Sequence, residues 1–78
     1  MAYPNPTTGA LNITIPFSWQ SKQVNYEIYN VSGQLSMKLL NENGSQTQTL
    51  NVSKLIPGLY IVKVSCDKQS LTGKIFKN

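Results

Sequence analysis

LNVSKLIPGLYIVKV, residues 50–64, reads as strand, short connector, proline-glycine turn, strand. Leu55 supplies an apolar anchor before the turn. Pro57 holds φ at about −65° and Gly58 accepts positive φ, so the pair suits a type II turn. Tyr60, Val62 and Val64 then alternate with Ile61, Lys63 and Ser65, the period of a half-buried strand. The segment carries no reactive chemistry. It predicts the closing part of a small β-domain, and the remaining punctuated segments agree with it.

Upstream, Pro4 and Pro6 bias Tyr3 and Asn5 towards extended geometry, and Thr7-Thr8-Gly9 reads as a turn. Leu11, Ile13 and Ile15 alternate with Asn12 and Thr14, a strand over 10–15 stopped by Pro16. Residues 17–22 form a connector in which Trp19 is placed to cap an open end of the core. The next strand spans 23–31, with Val24, Tyr26 and Ile28 on one face. Ser32-Gly33 is a tight turn in which glycine supplies positive φ. Residues 34–40 return with Leu35, Met37 and Leu39 on one face. Asn43-Gly44 signals the next reversal, followed by a polar strand over 46–52. Asp67-Lys68 turns the chain again, and a last strand runs from Gln69 to Phe76, with Leu71 and Ile75 apolar. Segments at this spacing, none with helical periodicity and a cap, predict an all-β fold: a small antiparallel β-sandwich, Ig-like, of six to seven strands. An open five-stranded barrel is the alternative. The domain spans 3–78, with residues 1–2 read as additions ahead of a chain that continues upstream.

Composition narrows the function. At 78 residues the chain supports one small domain, burying roughly 60% of its unfolded surface. The net charge is +4, yet it comes entirely from lysine, scattered at 22, 38, 54, 63, 68, 74 and 77. Base readout favours the bidentate fork of arginine, and none is present; nucleic acid is not the expected partner. Lysines on exposed strands also guard against edge-to-edge pairing. There is no histidine and a single cysteine, Cys66. A catalytic thiol would lack its base and a thiolate metal site its other ligands, so Cys66 reads as a small buried hydrophobe. Glu27, Glu42 and Asp67 form no acid–base motif, and no phosphate loop occurs. No catalytic residue, metal, cofactor or small-molecule substrate is expected.

Three landmarks occur in order. Tyr3-Pro4-Asn5-Pro6 precedes Gly9; Ile28-Tyr29-Asn30-Val31-Ser32-Gly33-Gln34 follows; Leu50 to Leu55 then leads into Pro57-Gly58-Leu59-Tyr60 and the strand to Val64. The chain closes on Lys74-Ile75-Phe76-Lys77-Asn78. In this combination the chain resembles the type A C-terminal sorting domain of the type IX (Por) secretion system of Bacteroidetes, from Tyr3 to Asn78. The resemblance implies a non-catalytic sorting signal carried behind a larger, fused cargo. It implies transit through the periplasm, recognition by the outer-membrane translocon and removal by a sortase-like protease. The cargo then ends at the cell surface or outside the cell.

Carried over by motif, Gly58, Tyr60, Lys74, Ile75 and Lys77 are the expected translocon-recognition residues. Pro4, Asn5, Pro6, Gly9, Gly33 and Pro57 are the expected structural ones. The last strand, Leu71 to Lys77, is the candidate edge for strand addition, with Lys74 and Lys77 both read as surface positions. The competing reading is a carbohydrate-binding or accessory adhesion module of a secreted hydrolase. An exposed row of Trp19 and Tyr29 would favour it, and a buried Trp19 would count against it.

Overall fold

Alternation sorts the side chains of this protein into an inside and two outsides. The computed structural model describes Ala2, Tyr3 (backbone only) and residues 6–78; Pro4 and Asn5, assigned above to the opening motif, lie outside the described residues. The strands are β1 (Ala2–Tyr3), β2 (Ala10–Thr14), β3 (Val24–Asn30), β4 (Leu35–Asn41), β5 (Thr47–Asn51), β6 (Gly58–Cys66) and β7 (Gln69–Lys77), with a 3₁₀ turn at Phe17–Trp19. They pair antiparallel into two sheets, β1-β2-β5 and β4-β3-β6-β7. This is the small Ig-like sandwich expected from the sequence, not a barrel.

Leu11 and Ile13 from β2, with Leu50 from β5, face Val24, Tyr26 and Ile28 from β3, Val62 and Val64 from β6, and Ile75 from β7; all are buried. Each such side chain stabilises the fold by about 1.5–3 kcal/mol relative to exposure. Trp19 closes one end of this core, as expected. Its indole Nε1 donates to Gln69 Oε1 at 2.8 Å, tying the 3₁₀ turn to the start of β7.

Three expectations need correction. First, Asn43-Gly44 is not a hairpin turn. It lies between β4 and β5, which belong to different sheets, and Gly44 does not have positive φ. Its backbone instead docks on the 3₁₀ loop: Gly44 N donates to Lys22 O and Ser21 N donates to Gly44 O, each at 2.8 Å. Glycine stands here for close approach. Second, the Pro57-Gly58 step is not a type II turn. Gly58 has φ +151° and already pairs with Lys77 as the first residue of β6; the i+2 position of a type II turn needs about +80°. The turn sits earlier, where Leu55 N donates to Val52 O at 3.0 Å.

Third, Leu35 leaves the core face. Ile28 pairs with Met37 but Tyr29 pairs with Leu35, a one-residue bulge that flips Leu35 to the outside, where it is 50% exposed. Leu71, read as apolar, pairs with Val64 near the β6–β7 turn and is 46% exposed.

One device recurs that the turn signals alone did not show. β3, β4 and β5 each end in asparagine, and each Oδ1 accepts backbone N–H groups of the departing chain. Asn30 takes Ser32 N and Gln34 N, Asn41 takes Asn43 N, and Asn51 takes Ser53 N, all at 3.0 Å. These Asx turns satisfy donors that no neighbouring strand can reach.

Candidate recognition site

Nothing in the fold assembles a reactive centre among the described residues. Cys66 is buried in the core, and no group of three or more His, Cys, Asp or Glu side chains is suited to a metal. A cavity of about 20 Å³ between the sheets is lined by Ala2, Ile13, Val62, Val64, Leu71 and Gly73. It has room for about one water molecule. Trp19 is 3% exposed, so the platform of paired Trp19 and Tyr29 is not formed.

The expected recognition residues cluster on the β6–β7 pair, but they do not share a face. Tyr60 is opposite Ile75 and Gly58 is opposite Lys77. Tyr60, Ile75 and Lys77 are buried, and Lys77 is only 5% exposed. This corrects the reading of Lys77 as a surface position. Its ammonium donates to Asn78 O at 2.7 Å, while Gly58 across from it has no side chain to compete for the space. Lys74 is opposite Ile61 on the outer face and is exposed. Positions 74 and 77 differ by three, so a strand of period two must send them to opposite faces.

The edge of the last strand is also partly taken. Thr7 bridges to Lys77 in parallel: its N–H donates to Phe76 O at 2.8 Å and its carbonyl accepts from Asn78 N at 2.9 Å. Thr7 is 1% exposed, and its hydroxyl donates to Ala10 O at 2.8 Å. Strand addition along Phe76–Asn78 would first have to displace Thr7. Of the other structural residues, Gly33 has φ +83° and closes the β3–β4 loop as expected, and Gly9 O accepts from Val52 N. Pro6 and Pro57 are exposed.

Register brings together a surface that sequence reading missed. On the outer face of the larger sheet, Leu35, Tyr29, Ile61 and Lys74 form one row across β4, β3, β6 and β7. Beside it Leu59 opposes Phe76, and on the other side Lys38, Glu27, Lys63 and Thr72 form the next row. Desolvation first, then a hydrogen bond and the charge of Glu27, push the Tyr29 phenol pKa up.

The model of the secretion system C-terminal sorting domain family matches residues 1–78, the whole chain. The chain belongs to that family. It is a sorting domain of the type IX secretion system, and its family is not one of enzymes. As such a signal, the domain serves export to the cell surface or the extracellular space and works with the secretion machinery and a fused cargo. Among curated proteins, none matches the chain.

Two tyrosines of the sorting domain contrast usefully. The Tyr60 hydroxyl donates to Ile56 O, four residues upstream, at 2.5 Å. This is the tyrosine-corner arrangement of Ig-like sandwiches, and it pins the β5–β6 connector. The Tyr26 hydroxyl is buried with no hydrogen-bond partner among the described residues. Tyr60→Phe should therefore cost about 1 kcal/mol, whereas Tyr26→Phe should be neutral or stabilising, because it removes an unsatisfied polar atom. Urea denaturation of both variants checks the difference in sign.

Burial, and secondarily the Cys66 thiol, push the Tyr26 phenol pKa above its ordinary 10.0. A raised folded-state pKa means that stability is intact below pH 10 and falls as pH climbs from there through the folded pKa. Tyr26→Phe should flatten that alkaline decline, measured as Tm against pH between 9 and about 12.

The two lysines separate in the same way. Lys77→Ala removes a packed aliphatic stem and should cost about 1–2 kcal/mol, while Lys74→Ala should stay within about 0.5 kcal/mol. Thermal melts of the single variants decide it; equal losses would mean that burial of Lys77 contributes nothing.

Proposed function

We propose that this domain is a folded passenger label. It is carried with its cargo across the periplasm, recognised by the outer-membrane translocon of the type IX system, and then cut away upstream by a sortase-like protease. The supporting observation is the match over the full length of a chain that closes its own core. An independent core lets one label serve cargoes of different folds, because it does not depend on contacts with them. On this reading Gly58, Tyr60, Ile75 and Lys77 act indirectly, by holding β6 and β7 in register, and Lys74 is the one of the five that meets the machinery.

The test is a fusion of residues 1–78 behind a periplasmic reporter in a Bacteroidetes host that has the system. The expected result is reporter outside the cell or on its surface, shortened by about the 8.7 kDa of the domain. Reporter retained in the periplasm with the domain folded and intact would overturn the proposal. Export with the domain still attached would overturn the cleavage step alone.

A further inference from the structure

The two outer faces of the sandwich differ in kind. Among the described side chains, that of β1-β2-β5 presents Asn12, Thr14, Thr47, Thr49 and Asn51, with no charge and no large apolar group, and part of it is internally bonded through Thr49 Oγ1 to Asn12 Oδ1 at 2.7 Å. That of β4-β3-β6-β7 presents two adjoining apolar rows. Leu35, Phe76 and Leu59 are 50%, 51% and 39% exposed, with Tyr29 and Ile61 half-buried between them. Lys38 and Lys63 flank these rows on one side with Glu27 between them, and Lys74 ends one row, so this face carries three positive charges against one negative.

We propose that this face docks onto a protein partner whose contact surface is apolar at its centre and rimmed by aspartate and glutamate. The inference rests on the sorting reading and names the contact surface for it. A patch dominated by aromatic and aliphatic side chains, with its charges along one side and at one end, has the anatomy of an interface. The border sets the sign of the partner. Two copies of this face brought together would oppose six lysines with two glutamates, so self-association is disfavoured and an acidic rim is complementary. An anionic bilayer would engage the lysines, but the apolar side chains stand on the strands of a sheet face and not on a protruding loop tip that could enter lipid.

The test uses the reporter fusion in the type IX host with charge-matched variants. Lys38→Glu with Lys63→Glu alters the face; Lys54→Glu with Lys68→Glu makes the same change in net charge in the loops. The face pair should lower export at least tenfold and the loop pair less than twofold, with the two purified domains melting within a few degrees of each other. A photo-crosslinking benzoylphenylalanine in place of Phe76 should yield a protein adduct that the face pair abolishes, and the same group in place of Thr49 should yield none. Equal export by the two pairs, equal crosslinking from both faces, or an adduct of two copies of the fusion would overturn the proposal. So would flotation of the parent domain, but not the face pair, with phosphatidylglycerol vesicles while no protein adduct forms. If the parent exports and the face pair does too, only this inference fails. If the parent is retained, the sorting reading fails and takes the inference with it.

Discussion

Trp19→Ala should sharply lower the urea midpoint of the domain. At about 0.05–0.15 kcal/mol per residue, a chain of 78 residues has roughly 4–12 kcal/mol to lose. Truncating a buried tryptophan costs about 3–5 kcal/mol, part of it lost transfer energy and part the cavity left behind. At this site the cavity cannot collapse easily. The ring is 3% exposed and is held from below by a 3₁₀ turn whose backbone is itself bonded, Trp19 N to Pro16 O and Lys22 N to Trp19 O. The indole also ties that turn to Gln69 across 50 positions of sequence. Far-UV circular dichroism through a urea titration measures the loss without needing the missing fluorophore. A loss below about 1 kcal/mol would mean that the end of the sandwich is sealed by something else.

Gly44→Ala should cost about 2–3 kcal/mol, at the upper end for one added methyl in a packed site. A Cβ at this position would sit 2.8 Å from Val24 Cγ2 and 3.1 Å from the carbonyl oxygens of Lys22 and Trp19. None of the three can give way cheaply. Valine is stiff at χ1 and Val24 is 0% exposed. The Lys22 carbonyl is held by the Gly44 N–H itself at 2.8 Å, so moving one strand of the contact breaks its own hydrogen bond. Gly33→Ala is the informative comparison. There a Cβ would meet nothing within 4 Å, and the penalty comes only from φ +83°, a cost of about 1 kcal/mol. Chemical denaturation of the two variants should rank Gly44 well above Gly33. The reverse order would show that the dock of the 42–46 connector onto the 3₁₀ loop is loose.

Period-two alternation was enough to place Leu11, Ile13, Val24, Tyr26, Ile28, Tyr60, Val62 and Val64 inside, because each strand has a single apolar parity and a slip of one residue would expose all of it. What alternation cannot carry is the choice of partner strand. Asn43-Gly44 has the composition of a hairpin turn, yet the chain crosses between sheets there, and only the tight space against Val24 explains the glycine. The bulge at Ile28/Tyr29 has no local signature either, and it alone moves Leu35 to the outer face. The rows that make up the proposed docking surface exist only once four strands are in register, so residues as distant as Leu35 and Lys74 could not be joined by reading along the chain. The opposed facing of Lys74 and Lys77, by contrast, was legible: their positions differ by three.

The Thr7 bridge has a mechanical meaning. Just past β1, the chain runs alongside the closing residues of the final strand, held there by two backbone hydrogen bonds, with the Thr7 hydroxyl bonded to Ala10 O beside them. Adjacent strands lie about 5 Å apart, so whatever grips that strand has the start of the tether in the same grasp. Tension from a moving load falls first on the two-residue pairing of β1 with β2 and reaches the Thr7 bridge once that pairing has parted, which makes Thr7 the second catch of the assembly.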